Sequence, residues 1–138
     1  MTGRYYLDTS IWLDFFENRN EPRLPKGDWA HQLLEWITAN NGSVLYSDVV
    51  ILELGSAGYH PHEIGPLFEK IRPILLLVTS TEKQLRRARD LSSKRGIPKG
   101  DALHALLARD HQATLVTLDH HFQKLLDITE PKRPQDII

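Results

Sequence analysis

The feature that most constrains the fold is a rhythm: short, β-prone apolar runs alternate with segments of helical period, the pattern of βα units that stack into a parallel sheet with helices on its faces. Residues 5–7 read as a first strand that ends at Asp8, and Thr9 or Ser10 follows as the cap of a helix reaching about Glu17. Residues 18–27 contain Pro22, Pro25 and Gly27 and read as loop. Asp28 is then placed to cap a second helix, whose Leu33, Leu34 and Ile37 form an apolar face before Asn40-Asn41-Gly42 stops it. Residues 44–46 are a second strand, Ser47 the cap of a helix that contains Glu53, and residues 62–72 a short helix between Pro61 and Pro73. The nearly unbroken apolar run 74–78 predicts a buried third strand. Ser80 or Thr81 opens a basic helix with Leu85, Ala88 and Leu91 at intervals of three, closed by Gly96 and Pro98. A further helix starts at Asp101 and runs to about His111. Residues 114–117 are a fourth strand with Asp119 just beyond it, and a weaker fifth strand is expected at 126–129.

A chain of 138 residues, 41% of them hydrophobic, suits one domain, 1–138, with a core that needs no disulfide or metal staple. The absence of cysteine excludes a disulfide framework, a thiolate metal site and a cysteine nucleophile, and it fits a reducing cytoplasm. No basic segment followed by an apolar run opens the sequence, and no stretch approaches the roughly 20 apolar residues that span a bilayer. A soluble, cytoplasmic protein without a membrane partner is therefore expected. A net charge of -1 gives no attraction to nucleic acid as a whole, but charge is segregated along the chain. Between Glu82 and Lys99 lie Lys83, Arg86, Arg87, Arg89, Lys94, Arg95 and Lys99, against only Glu82 and Asp90. The simplest reading of that run is a solvated helix face.

Four acids stand out by position. Asp8 and Asp119 follow strands at the carboxyl edge, where loops of an open α/β sheet gather functional groups. Asp101 sits at a helix start, where the dipole favours a carboxylate. Glu53 lies in a largely apolar helix and needs a partner to offset its desolvation. A divalent ion held by carboxylates, Mg²⁺ or Mn²⁺, would be such a partner. Each acid also has a structural role open to it: Asp8 and Asp101 as caps, Asp119 in a turn, Glu53 in a buried ion pair. The seven histidines offer no His-Glu-x-x-His pattern, and the adjacent His120 and His121 are not spaced to face one metal. His104, one helical turn from Asp101, is placed for a supporting hydrogen bond, and Trp12, Trp29 and Trp36 read as core or interface residues.

The segments YYLDTSIW, LYSDVVILEL, PKGDALHALLA and LVTLDHHF occur in the order, and at about the spacing, of the four acidic motifs of PIN-domain nucleases. The chain resembles that family over essentially its whole length, most closely the small VapC-type toxins. The resemblance implies a three-layer α/β/α domain with a mostly parallel, roughly five-stranded sheet. It implies Asp8, Glu53 and Asp101 as core acids, with Asp119 as a fourth whose role as a direct ligand varies. Thr9, Ser10 and Thr117 match hydroxyls that position an attacking water, and helix capping explains them nearly as well. One or two Mg²⁺ or Mn²⁺ ions are implied, anchored by Asp8 and Asp101, assisted by Glu53, with Asp119 helping a second ion. The implied reaction is endonucleolytic hydrolysis of RNA, and the implied partners are an antitoxin and a second copy of the chain. An acidic pocket repels the rest of the RNA backbone, so flanking cations are expected; Arg86, Arg87 and Lys99 are the candidates. A PIN ribonuclease that processes RNA without an antitoxin, and a non-catalytic PIN-like binding module, are the alternatives. A phosphotransfer protein is disfavoured, because Thr9-Ser10 replaces an Asp-x-Asp pair and Thr79-Ser80 follows the third strand where a receiver has Asp.

Overall fold

The computed structural model describes residues 3–138. In chain order its elements are β1 (Arg4–Leu7), α1 (Thr9–Glu17), β2 (Asn20–Glu21), β3 (Leu24–Pro25), α2 (Lys26–Ala39), β4 (Ser43–Ser47), α3 (Asp48–Ser56) and α4 (Pro61–Phe68). A 3₁₀ segment (Glu69–Ile74) leads into β5 (Leu75–Val78), followed by α5 (Glu82–Arg95), α6 (Lys99–Asp110), β6 (Thr114–Val116), a second 3₁₀ segment (His120–Leu125) and α7 (Pro134–Ile137). The central sheet has the order β5-β4-β1-β6 and all its pairings are parallel. Tyr6 pairs with Leu45 on one side and Leu115 on the other, so β1 is central and every strand ends on the same edge.

Burial explains the order. Tyr6, Leu7, Val44, Leu45, Leu115 and Val116 are all within 1% of complete burial, as strands covered on both faces must be. Alternation of alanine with leucine lets α6 lie close to β1 and β6: Ala102, Ala105 and Ala108 are fully buried, and so are Leu106 and Leu107. Ser47 caps α3 by accepting from the Val50 N–H, and Thr81 with Gln84 forms a capping box on α5. Gly96 closes α5 at φ +64°, a conformation that glycine adopts freely.

Several expectations change. The sheet has four strands, because residues 126–129 form none; Phe122 and Leu125 are both fully buried, and their spacing of three suits a 3₁₀ turn. After Pro131 the chain pairs with the end of β6 through one parallel bridge, Val116 with Lys132. The apolar run at β5 is an edge strand, with Leu76 and Leu77 47% and 55% exposed. Residues 18–27 contain a small antiparallel ribbon, β2 with β3. Helix α2 begins at Lys26 after Pro25, so Asp28 lies in its first turn and is tied to Asn20 instead of capping. Helix α6 likewise begins two residues ahead of Asp101, and the stretch 62–72 divides between α4 and a 3₁₀ segment. No helix among the described residues is long and apolar enough to cross a membrane.

Candidate active site

Asp8 leaves β1 at the carboxyl edge and caps α1. Its Oδ1 accepts the Ile11 N–H at 3.1 Å and the Ser10 hydroxyl at 2.8 Å, while Oδ2 accepts the Thr117 hydroxyl at 2.6 Å. Burial pushes this carboxyl above its ordinary range, and the Thr117 and Ser10 hydroxyls work against that. Thr117 Oγ1 also accepts the Asp119 N–H at 2.9 Å, so one hydroxyl ties the acids that follow β1 and β6.

Glu53, on α3, is half-buried. Its Oε1 accepts the Thr9 hydroxyl at 2.5 Å and lies 2.6 Å from His104 Nε2. Burial would raise the carboxyl, but the His104 and Thr9 hydrogen bonds outweigh it and hold Glu53 below its usual range. His104 is 1% exposed, and its Nδ1 lies 2.6 Å from the Tyr6 hydroxyl, which in turn lies 2.7 Å from Ser47 Oγ. The second Glu53 oxygen, Oε2, occupies space that a Cβ on Gly100 would fill.

Asp101 projects from the first turn of α6. Its Oδ2 is buried and accepts no hydrogen bond from the described residues; His121 Nδ1 approaches to 3.3 Å without completing one. Burial and the negative charges of Asp119 and Asp8 push Asp101 up to about 6. Asp119 caps the second 3₁₀ segment by accepting the His121 N–H at 2.9 Å, and the same histidine's Nδ1 is 3.1 Å from Asp119 Oδ1. Asp101, Asp119 and His121 each bring one ligand atom within 4.8 Å of the others.

Asp8 and Asp119 are thus both close enough to repel Asp101, and Glu53 joins their rim through Thr9 and Gly100. Ser10 and Thr117 serve Asp8, whereas Thr9 serves Glu53. Sequence reasoning placed His104 for a supporting hydrogen bond, which Glu53 receives, and Ser47 as a helix cap; it set His121 aside as a ligand and did not single out Tyr6. The available signals were the spacing of three between Asp101 and His104, and of two between Asp119 and His121. Of the cations, Lys99 is exposed at the start of α6 beside the site. Arg86 is exposed and pairs with Glu82 at 3.8 Å. Arg87 lines a cavity of about 710 Å³ with Lys83, Arg109 and Asp110. Asp110 ends α6, nine residues and roughly 14 Å along the helix from Asp101.

The donor set fits a hard divalent ion. Carboxylate oxygens dominate, with one imidazole nitrogen at the edge, a mixture suited to Mg²⁺ and better still to Mn²⁺. A buried acceptor without a donor, Asp101 Oδ2, is the atom that a cation would satisfy.

The PIN domain family model matches residues 5–126. Among solved structures, VapBC2 from Rickettsia felis bound to a promoter DNA fragment is similar at a TM-score of 0.67 and 22% identity, over 94% of this chain and 98% of that one. A toxin-antitoxin complex from Klebsiella pneumoniae matches at 0.63 and 18% identity, over 94% and 97% of the two chains. PAE2754 from Pyrobaculum aerophilum matches at 0.59 and 19%, over 99% and 94%. A search of curated proteins finds no significant match.

Proposed function

The chain belongs to the PIN-domain family, and from that premise we propose that it is a metal-dependent endoribonuclease, the VapC-type toxin of a toxin–antitoxin pair, acting as a single domain in the cytoplasm. The observation that carries this reading is the Asp101 Oδ2 atom, buried and unsatisfied among the described residues, in a site where burial and the charges of Asp119 and Asp8 push Asp101 up to about 6. Capping explains Asp8 and Asp119, but Asp101, crowded by both, is offset by no donor, and a cation held there would offset it.

Asp101, Asp119 and Asp8 would hold one or two Mg²⁺ or Mn²⁺ ions, with His121 and the free Glu53 oxygen at the rim. When bound, the ion supplies a nucleophile near neutral pH and offsets charge on the scissile phosphate. The chain's own residues do the positioning. Ser10 and Thr117 fix both Asp8 oxygens, and Thr9 and His104 fix Glu53 through one oxygen so that Oε2 faces Gly100. Glu53, held ionised by its hydrogen bonds, is suited to orient an attacking water as a hydrogen-bond acceptor. Lys99, beside Asp101 at the start of α6, would meet the RNA backbone, whereas Arg86 is engaged by Glu82 and Arg87 faces a cavity at the far end of α6.

An antitoxin as partner is supported by the similar VapBC2 and toxin–antitoxin complexes, and a homodimer belongs to the same proposal. The test is cleavage of structured and unstructured RNA in Mg²⁺ or Mn²⁺, comparing wild type with Asp8→Asn and Asp101→Asn. Loss of cleavage in both variants and in excess chelator is expected. Activity that survives either substitution, or the chelator, sinks the mechanism.

A further inference from the structure

A nuclease site made of acids needs cations to hold the rest of its substrate, and the ribbon between α1 and α2 places two of them beside the acids. A cavity of about 340 Å³ brings Arg19 and Lys26 together with Ser10, Asp14, Leu118 and Asp119 in its lining. Ser10 is the residue whose hydroxyl holds Asp8, so this cavity opens directly off the proposed site.

The two cations are held in place. Asp14 is 2% exposed, and Arg19 Nε donates to its Oδ1 at 3.1 Å, which fixes the plane of the guanidinium. Nη2 reaches the Ser10 carbonyl at 3.5 Å, and Nη1 has no partner among the described residues. Lys26 Nζ is steadied by Glu21 Oε2 at 3.2 Å across the ribbon. The backbone closes the arrangement: the Gly27 N–H donates to the Arg19 carbonyl at 3.3 Å. A Cβ on Gly27 would lie 2.7 Å from Asn18 Cα, so only glycine allows the ribbon to fold this tightly onto α2. A guanidinium with a free N–H edge and a neighbouring ammonium, both turned to one cavity, is the chemistry that receives a phosphodiester oxygen.

We propose that Arg19 and Lys26 form a phosphate-binding flank that holds the backbone of single-stranded RNA in the cavity they share with Asp119, next to the bond that is cut. The inference rests on the nuclease reading above and adds to it the place of the substrate's backbone, at the ribbon rather than along α5.

The test is binding of a short, labelled, single-stranded RNA to the full chain in chelator, followed by fluorescence anisotropy over a range of salt. Lys26→Gln is made alone. Because Arg19→Gln by itself strands the buried Asp14, it is made together with Asp14→Asn, and all three changes are then combined. Loss of both cations is expected to weaken RNA binding about tenfold at low salt and to flatten the log-log salt slope by about 1.4. In Mn²⁺, KM rises with kcat within about twofold, and Mn²⁺ affinity is unchanged. A paired Arg86→Gln, Arg87→Gln variant is expected to bind RNA within about twofold of wild type. Flank variants that fold and keep the wild-type affinity and salt slope overturn the inference, as does a wild type that binds no RNA; if such variants still cleave RNA, the nuclease reading stands without it. Salt-dependent binding that is lost in the flank variants, with no cleavage in any divalent ion, supports the flank and overturns the nuclease.

Discussion

One oxygen of Glu53 accepts two hydrogen bonds, and that fixes the hydrogens of a whole buried network. A carboxylate only accepts, so His104 Nε2 carries a hydrogen and Nδ1 is left to accept from Tyr6. Ser47, which accepts from the Val50 N–H, then donates to the Tyr6 oxygen. Every polar hydrogen has a place. A hydrogen on Nδ1 would turn the Tyr6 hydroxyl round and strand that of Ser47, which is fully buried. Tyr6→Phe keeps the ring but removes the link, so unfolding in urea should show a loss of about 1 to 2 kcal/mol and cleavage should slow several-fold. Wild-type values for both would mean that His104 needs no second partner. Gly100→Ala makes a different cut: the obstacle is the end of a flexible side chain, so the melting temperature should stay near wild type while Mn²⁺ affinity and kcat fall about tenfold or more. Asp101 gives a pH dependence of definite sign. Folding raises it from 3.8 to about 6, so its contribution to stability is full below 3.8 and is lost as pH rises through about 6. Denaturation in chelator between about pH 4 and about pH 7 should show wild type losing about 1 to 3 kcal/mol more than Asp101→Asn, solvent screening included. A flat difference between the two proteins would contradict the crowding of acids described for this site. At this scale the four acids were readable from strand ends and a family pattern, but the partner of Glu53 was not. Its burial pointed to a metal or a buried ion pair without naming the pair, and Thr9 and His104, distant in sequence, do much of that work.

The helices and strands were readable wherever one period dominated, and misread where a long-range arrangement decided the outcome. An apolar run such as 74–78 specifies a strand, but which strand becomes an edge depends on the pairing of the others, so the exposure of Leu76 and Leu77 has no local signal. The missing fifth strand had one: Phe122 and Leu125 are three apart, a helical spacing that outweighs the apolar residues after them. The basic run is partly structural as well, since Arg95 makes a two-pronged pair with Asp127 at 2.7 and 2.9 Å and Arg86 pairs along its own helix. Where backbone meets backbone, the sequence carries a sharper mark. Gly27→Ala must push the ribbon off Asn18, and a drop in stability of about 1 to 3 kcal/mol is expected in thermal melts, together with weaker RNA binding. An unchanged melt would show that the ribbon can shift freely.

Across the whole molecule, residues 8, 53, 101 and 119 meet only because every strand of the sheet points the same way, so the site exists when the fold does and not before. An ion bound there stabilises the entire chain by mass action, about 2.7 kcal/mol at a hundredfold excess over its dissociation constant. The melting temperature should therefore climb with Mn²⁺ in wild type and stay level in Asp8→Asn; a rise of equal size in both would place the ion elsewhere. Thr117 carries this coupling to a single atom. The Asp119 amide lies outside any helix or strand, yet it is bonded to the hydroxyl that also holds Asp8. Its deuterium uptake should follow the slow opening of the sheet instead of the fast fraying of a loop, which makes one peptide group a clock for the integrity of the whole domain.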